Sequence, residues 1–208
     1  MIAIQLFTIA VYLSLAYEIW GIPVPSIAST VQLFSTEDAY DVAGTWLLRV
    51  RQWSVPMKTV ALLLPTALSV IVYLLPLIQA LQPNATDWLH SVWASTPFTI
   101  ALGVILAIAG RAISLYSAWR IRQNNQQTGD SFELKTRGLF DRSRNPLQVG
   151  MYICFAGLWL LYPTWEMAVG FLLYVANMHF RILLEEDFLA WKFGDSYLKY
   201  KATHRRYV

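Results

Sequence analysis

The chain contains little charge and almost no cysteine. Only 14% of its 208 residues are Asp, Glu, Lys or Arg, whereas soluble domains contain about a quarter. The single cysteine, Cys154, excludes an intramolecular disulfide framework and any cysteine-rich metal site. It lies in an apolar run, where a free cysteine behaves as a small hydrophobic residue. We therefore predict no metal site.

The chain is rich in apolar residues. Hydrophobic residues make up 56% of the chain and the mean hydropathy is +0.43, which excludes an ordinary soluble domain. Nine Trp and eleven Tyr suit a protein with many contacts to membrane interfaces. The net charge of +3 comes from basic clusters beside hydrophobic segments, so it indicates membrane orientation and no nucleic-acid partner. The sequence predicts an integral membrane protein.

Four apolar regions define the expected helices. Residues 1–22, 57–81 and 97–119 are each long enough to cross a bilayer. Residues 148–180 are too long for one helix and are interrupted near Pro163, which predicts a helical hairpin with two short legs. We expect an all-α membrane protein with five transmembrane helices in a single membrane domain.

The distribution of basic residues predicts the orientation. Lys and Arg are concentrated in residues 120–144 and 192–206 and are absent from residues 82–96. The positive-inside rule therefore places both basic segments in the cytosol, with the N-terminus outside and the C-terminus inside. The small size and sparse loops favour a bacterial inner membrane. No oligomeric state is predicted.

A further helix is expected before the second span. Ser35, Thr36, Glu37 and Asp38 resemble a capping box, and apolar residues follow at helical spacing as far as Trp53. This pattern indicates an amphipathic helix on the membrane surface, which either packs against the protein or forms a wall for a lipid substrate.

A polar motif precedes the hairpin. Gly138 permits a turn with positive φ or a close ligand approach, and Pro146 can occupy the first position of a helix. The free N–H groups of that helix start would lie beside Arg144. Such a cationic corner suits a carboxylate.

A second polar motif follows the hairpin. Glu185 and Glu186 come where the chain is expected to re-emerge on the cytosolic side, and Phe193, Gly194 and Tyr197 follow them. Neighbouring residues on a helix point about 100° apart. We therefore expect one structural and one functional acid.

The order and spacing of these motifs resemble membrane methyltransferases typified by isoprenylcysteine carboxyl methyltransferase and the related phospholipid methyltransferases. The resemblance covers about residues 135–200 and predicts an N-terminal membrane region, 1–134, followed by a methyltransferase-like region, 135–208. It implies S-adenosylmethionine bound at the cytosolic face and a lipid-like or prenylated acceptor that enters from the bilayer. The implied catalytic residues are Glu185, Glu186 and Arg144. The implied cofactor-binding residues are Thr136, Gly138, Phe140, Arg144, Asn145, Pro146, Gln148, Gly150 and Glu186.

Three residues depart from the family pattern. Asn145 stands where histidine is usual, and an amide cannot shuttle a proton at neutral pH. Phe140 and Gln148 replace tyrosines. A carboxylate acceptor needs no base, whereas an amine acceptor would require Glu185 or Glu186 as its base. The missing histidine favours an acceptor that is already deprotonated.

Arg111 lies inside the third apolar region, where a charge is costly unless it faces a polar cavity or reaches the interface. If it faces inward, it is a candidate to bind a substrate carboxylate or phosphate.

Two other function classes remain open. Sterol-type membrane reductases resemble the same C-terminal region and bind a nicotinamide cofactor, but they carry Asn-Tyr after the proline where this chain has Leu147 and Gln148. A membrane scaffold without catalytic activity is the second alternative.

Overall fold

The computed structural model describes residues 2–21, 46–127, 134 and 136–208. These ranges are helical and contain no β-strand, with an isolated bridge between Ser91 and Thr164. In chain order, the elements are α1 (Ile2–Gly21), α2 (Trp46–Arg51), α3 (Val55–Leu81), a 3₁₀ helix (Pro83–Thr86), α4 (Pro97–Gln127), a second 3₁₀ helix (Gly138–Asp141), α5 (Pro146–Leu161), α6 (Trp165–Phe193) and α7 (Asp195–Thr203). The predicted helical class is confirmed for these residues.

Two helices have the length and apolar composition to cross a membrane, namely Pro97–Gln123 within α4 and all of α6. Shorter apolar stretches lie in α1, α3 and α5, so the count of five spans stays a prediction. Large apolar side chains on these helices point outward, including Leu13, Ile105 and Leu172. Hydrocarbon covers such surfaces without the penalty that water imposes.

Helices α4 and α5 pack with their backbones in direct contact, because glycines remove the side chains between them. A Cβ atom on Gly110 would lie 2.3 Å from the backbone nitrogen of Cys154. A Cβ atom on Gly150 would lie 2.6 Å from the backbone nitrogen of Ser114. Backbone contact of this kind is typical of helices that associate in membranes. It fixes the start of α5 against α4.

The main apolar core lies where α1, α4, α5 and α6 meet. Ala107, Cys154 and Leu158 are fully buried there, and Phe155 and Met167 are nearly so. Cys154 is a buried free cysteine, in agreement with its predicted role as a core residue.

The predicted break in the last apolar region is confirmed. Helix α5 ends at Leu161 and α6 begins at Trp165, with the hydroxyl of Thr164 accepting from the backbone N–H of Met167 at 3.3 Å. The prediction of two short legs is wrong, since α5 has 16 residues but α6 has 29. Helix α6 continues through the charged segment until Gly194, whose φ is 51°. Both candidate acids therefore lie within α6.

Helix α2 packs on the same part of α6. Val50 is fully buried against Leu184, and the rings of Trp46 and Trp53 lie 6.0 Å and 6.4 Å from the ring of Phe180. This packing supports the first of the two roles predicted for the amphipathic helix. The start of that predicted helix, near residue 35, lies outside the described residues.

Candidate active site

The site is built around the N-terminus of α5, which starts at Pro146 as predicted. Asn145 is the N-cap residue, but its side chain makes no capping bond. Its Nδ2 donates instead to the carbonyl oxygen of Arg206 at 3.2 Å. The hydroxyl of Ser143 accepts from the backbone N–H of Asn145 at 3.1 Å and donates to the same Arg206 carbonyl at 3.3 Å. The turn before α5 is thus tied to the end of the chain.

Glu186 lies at the centre of a buried charge cluster and is only 2% exposed. Arg206 binds its carboxylate with two hydrogen bonds, from Nε to Oε1 at 3.0 Å and from Nη2 to Oε2 at 2.9 Å. The Nη2 atom of Arg144 lies 3.1 Å from Oε1, and the Nζ atom of Lys201 lies 3.7 Å from Oε2. One carboxylate therefore faces three cationic groups, so the cluster has an excess of positive charge.

Two nitrogen atoms of the Arg144 guanidinium have no hydrogen-bond acceptor among the described residues. Its side chain is 8% exposed, and within the described part of the chain its Nε and Nη1 atoms have no hydrogen-bond partner. Leaving buried N–H groups of a cation unsatisfied is costly, and native structures rarely do so. An anion bound against Arg144 would satisfy them.

Two tyrosines from α7 close this side of the cluster. Burial raises the pKa of Tyr197 and the nearby charge of Glu186 raises it further, whereas the interaction with the Arg144 side chain lowers it. Burial also raises the pKa of Tyr200 to about 12, so its hydroxyl remains a donor, bonded to the carbonyl oxygen of Phe140 at 2.7 Å. Both tyrosines are themselves buried.

The C-terminal tail is a part of the site that sequence reasoning missed. The backbone N–H of Arg144 donates to the carbonyl of Arg205 at 3.0 Å, and the hydroxyl of Tyr207 lies 2.7 Å from Nδ1 of His179 on α6. The hydrogen bond to Glu186 raises the pKa of Arg206, which keeps its guanidinium charged. The available signal was the pair of arginines at the end of an apolar chain, which we interpreted only as a sign of orientation.

A groove opens beside the Gly138 turn. Gly138 has a φ of 77°, as its predicted turn requires, and its backbone N–H donates to Asp141 at 3.2 Å. The groove has a volume of about 420 Å³ between this turn and one face of α4. It is lined by Ala112, Ile113, Tyr116, Gly138 and Leu139. Its walls are largely apolar, which suits an aromatic ring or a hydrocarbon chain.

The other predicted cofactor-binding residues take different positions. Thr136 and Phe140 lie half-buried on either side of Gly138. Gln148 donates from Nε2 to the hydroxyl of Tyr174 inside the bundle, and Gly150 faces the backbone of α4. These contacts do not test the cofactor roles, which stay predictions.

The two adjacent acids differ in environment, as expected for neighbours on a helix. Glu185 is exposed, whereas Glu186 is buried and both of its oxygens are engaged by guanidinium groups. The ammonium group of a ligand would have to compete at Glu186 with these guanidinium groups and with the ammonium of Lys201. The predicted catalytic roles of the acids stay predictions.

Arg111 is buried and faces inward. Its Nη1 atom lies 2.5 Å from Oε2 of Glu18 and 2.8 Å from the hydroxyl of Ser114. Its Nε and Nη2 atoms donate to the hydroxyl and the carbonyl of Ser14, each at 2.9 Å. These bonds tie α1 to α4 and give Arg111 a structural role. Its predicted role in substrate binding remains a prediction.

The described residues form a helical protein with two helices long and apolar enough to cross a membrane and with a buried cationic cluster. Residues 98–196 match the family model of phospholipid methyltransferase (PEMT), which confirms the resemblance found in the motifs. No curated protein and no solved structure matches the chain. The matched segment runs from α4 into α7, and it includes Arg144 and Glu186 but ends before Arg206. The family implies methyl transfer to a lipid or other membrane substrate.

Proposed function

We propose that the protein is an S-adenosylmethionine-dependent methyltransferase that acts on a membrane-embedded lipid or prenylated acceptor. The observation that carries this proposal is the pair of unpartnered donors on buried Arg144, inside the segment that matches the phospholipid methyltransferase family. Methyl donors of this type carry a carboxylate on their methionine portion. The Nε and Nη1 atoms of Arg144 lie on either side of Nη2, which contacts Glu186, so either of them can donate a charge-assisted hydrogen bond to a carboxylate.

When bound, S-adenosylmethionine supplies an activated methyl group on a sulfonium. The chain's own part is to bind, orient and exclude water, which are the main contributions of a protein to an in-line displacement. Arg144 holds the carboxylate, and the turn at Gly138 with its groove accommodates an apolar portion of the donor. The residues proposed to complete the cofactor site are Thr136, Phe140, Asn145, Pro146, Gln148 and Gly150.

The acids have separate roles in this proposal. Glu186 compensates the charge of Arg144 and Arg206, to which it is bonded. Glu185 is exposed and is the acid available to accept a proton from an amine acceptor. A carboxylate acceptor requires no proton transfer. Because Asn145 cannot act as a base, we favour an acceptor that is already deprotonated.

The same proposal includes the arrangement in the membrane. Residues 1–134 serve as membrane scaffold and residues 135–208 carry the site, on the cytosolic face of five spans with the N-terminus outside. A bacterial inner membrane suits this organisation. The basic segments around Arg144 and Arg206 support the cytosolic placement, and the apolar outer faces of α4 and α6 support lateral entry of the acceptor.

The test is a calorimetric titration of the detergent-purified protein with S-adenosylhomocysteine and, separately, with NADPH. We expect saturable binding of S-adenosylhomocysteine alone, weakened at least about tenfold in Arg144→Gln because a charge-assisted hydrogen bond to its carboxylate is lost. Arg142→Gln is the matched control, since Arg142 is exposed in the same turn. Binding of NADPH alone would replace the proposal with a reductase, and binding of neither by folded protein would favour a scaffold.

A further inference from the structure

We propose that Arg206 is a positioning residue of this site. It holds Glu186 so that the Nε and Nη1 donors of Arg144 stay available to the carboxylate of the methyl donor. This inference rests on the proposed function. It assigns a role to a residue that lies beyond the segment matched by the family model, which ends at residue 196.

Arg206 and Arg144 share the carboxylate of Glu186 unequally. Arg206 uses two N–H groups on the two oxygens of Glu186, at 3.0 Å and 2.9 Å. Arg144 is left with a single contact, from Nη2 to Oε1 at 3.1 Å. A two-point arginine–carboxylate pair is stronger than a one-point pair. Arg206 therefore occupies the better position on Glu186 and excludes Arg144 from it.

The consequence of removing Arg206 follows from this competition. With its partner gone, Glu186 would be buried beside Arg144, and the favoured arrangement becomes a two-point pair between them. Such a pair needs a second donor of Arg144, which is either Nε or Nη1. Since those are the two Arg144 atoms without a hydrogen-bond partner among the described residues, one of them would be engaged by Glu186 and no longer available to the ligand.

The tail is anchored well enough to hold Arg206 in place. The backbone carbonyl of Arg206 accepts hydrogen bonds from the side chains of Asn145 and Ser143, at 3.2 Å and 3.3 Å. On the next residue, Tyr207 contacts His179 at 2.7 Å. The Arg206 guanidinium thus reaches Glu186 from a fixed backbone, and less conformational entropy is lost when it binds. This is the arrangement expected of a residue that orients its neighbours.

The experiment compares two probes that differ in one portion. S-adenosylhomocysteine carries the amino-acid portion with its carboxylate, and 5′-methylthioadenosine lacks that portion. We expect Arg206→Gln to weaken binding of S-adenosylhomocysteine by about tenfold or more and to leave binding of 5′-methylthioadenosine unchanged. Arg206→Lys should recover part of the loss, because an ammonium can neutralise Glu186 but cannot form the fork.

Arg205→Gln is the matched control. It removes the same charge one residue earlier, from an exposed side chain, and should bind both probes like the wild type. Thermal unfolding without ligand verifies that each variant is folded. If Arg206→Gln does not fold, Arg206→Lys carries the test, with the same selective loss expected at smaller size.

Each other outcome overturns the inference in a different way. Wild-type affinity for both probes in folded Arg206→Gln would show that Arg206 positions nothing. Parallel weakening of both probes would assign it a general structural role, and tighter binding of S-adenosylhomocysteine would show that the tail competes with the ligand. If the wild type binds neither probe, the proposed function fails and this inference fails with it.

Discussion

Replacement of Glu186 by glutamine is the substitution whose effect the structure defines best. Glu186 is 2% exposed and compensates two guanidinium groups. Glutamine has nearly the same shape but no charge, so Arg144 and Arg206 would be left close together without a counter-ion. Removing one partner of a buried ion pair costs about 3–5 kcal/mol. Arg206 keeps 28% of its side chain exposed, so we expect the lower end, about 3 kcal/mol.

The assay is thermal unfolding in detergent. For a chain of this length, 1 kcal/mol corresponds to roughly 2–4 °C, so Glu186→Gln should lower the melting temperature by about 6–12 °C. Glu185→Gln is the internal control, because the adjacent acid is exposed and its neutralisation should change stability by less than about 0.5 kcal/mol. Equal melting temperatures for the two variants would refute the assignment of Glu186 as the buried counter-ion of Arg144 and Arg206.

Three further predictions concern packing, the second buried ion pair and pH. Gly110→Ala should destabilise the protein by about 1–3 kcal/mol in thermal unfolding, because the new Cβ atom would lie 2.3 Å from the backbone nitrogen of Cys154. Ala109→Val, at an exposed position, is the control and should not have this effect. Equal losses of stability in the two variants would contradict backbone contact between α4 and α5. Glu18→Gln should lower the free energy of unfolding by about 3 kcal/mol, because it leaves buried Arg111 without its counter-ion. The double variant with Arg111→Met should lose less stability than the sum of the two single variants. Additive losses would contradict an interaction between the two residues. Because the pKa of Tyr200 is raised from 10.0 to about 12, its contribution to stability is complete below pH 10 and lost as the pH rises towards 12. In an alkaline unfolding series Tyr200→Phe should therefore lose less stability across that interval, and identical profiles would contradict the assignment.

The sequence predicted the features that depend on local chemistry. The helix start at Pro146, the positive φ at Gly138 and the hairpin break before Trp165 were all expected from residue type. Each depends on a backbone property that one or two residues determine. The contrast between buried Glu186 and exposed Glu185 also follows from helix geometry alone.

The features that the sequence did not predict depend on contacts between distant parts of the chain. Arg206 meets Glu186 across 20 positions, and Arg111 meets Glu18 across 93. Periodicity carries no information about such pairs. Helix α6 extends beyond residue 180, where the predicted apolar leg ends, and includes the charged residues that follow. Packing of α2 and of the tail against α6 satisfies that segment and lets the helix continue.

The central claim is that the cationic site around Arg144 binds a methyl donor. A methyl-transfer assay tests this claim most directly. The protein would be reconstituted in vesicles that contain phosphatidylethanolamine or a prenylated cysteine probe, and given S-adenosylmethionine with a radiolabelled methyl group. The account predicts label in the lipid fraction with the wild type and with Arg142→Gln, and almost none with folded Arg144→Gln. Equal labelling by Arg144→Gln, or no labelling of either acceptor by folded wild-type protein, would contradict it.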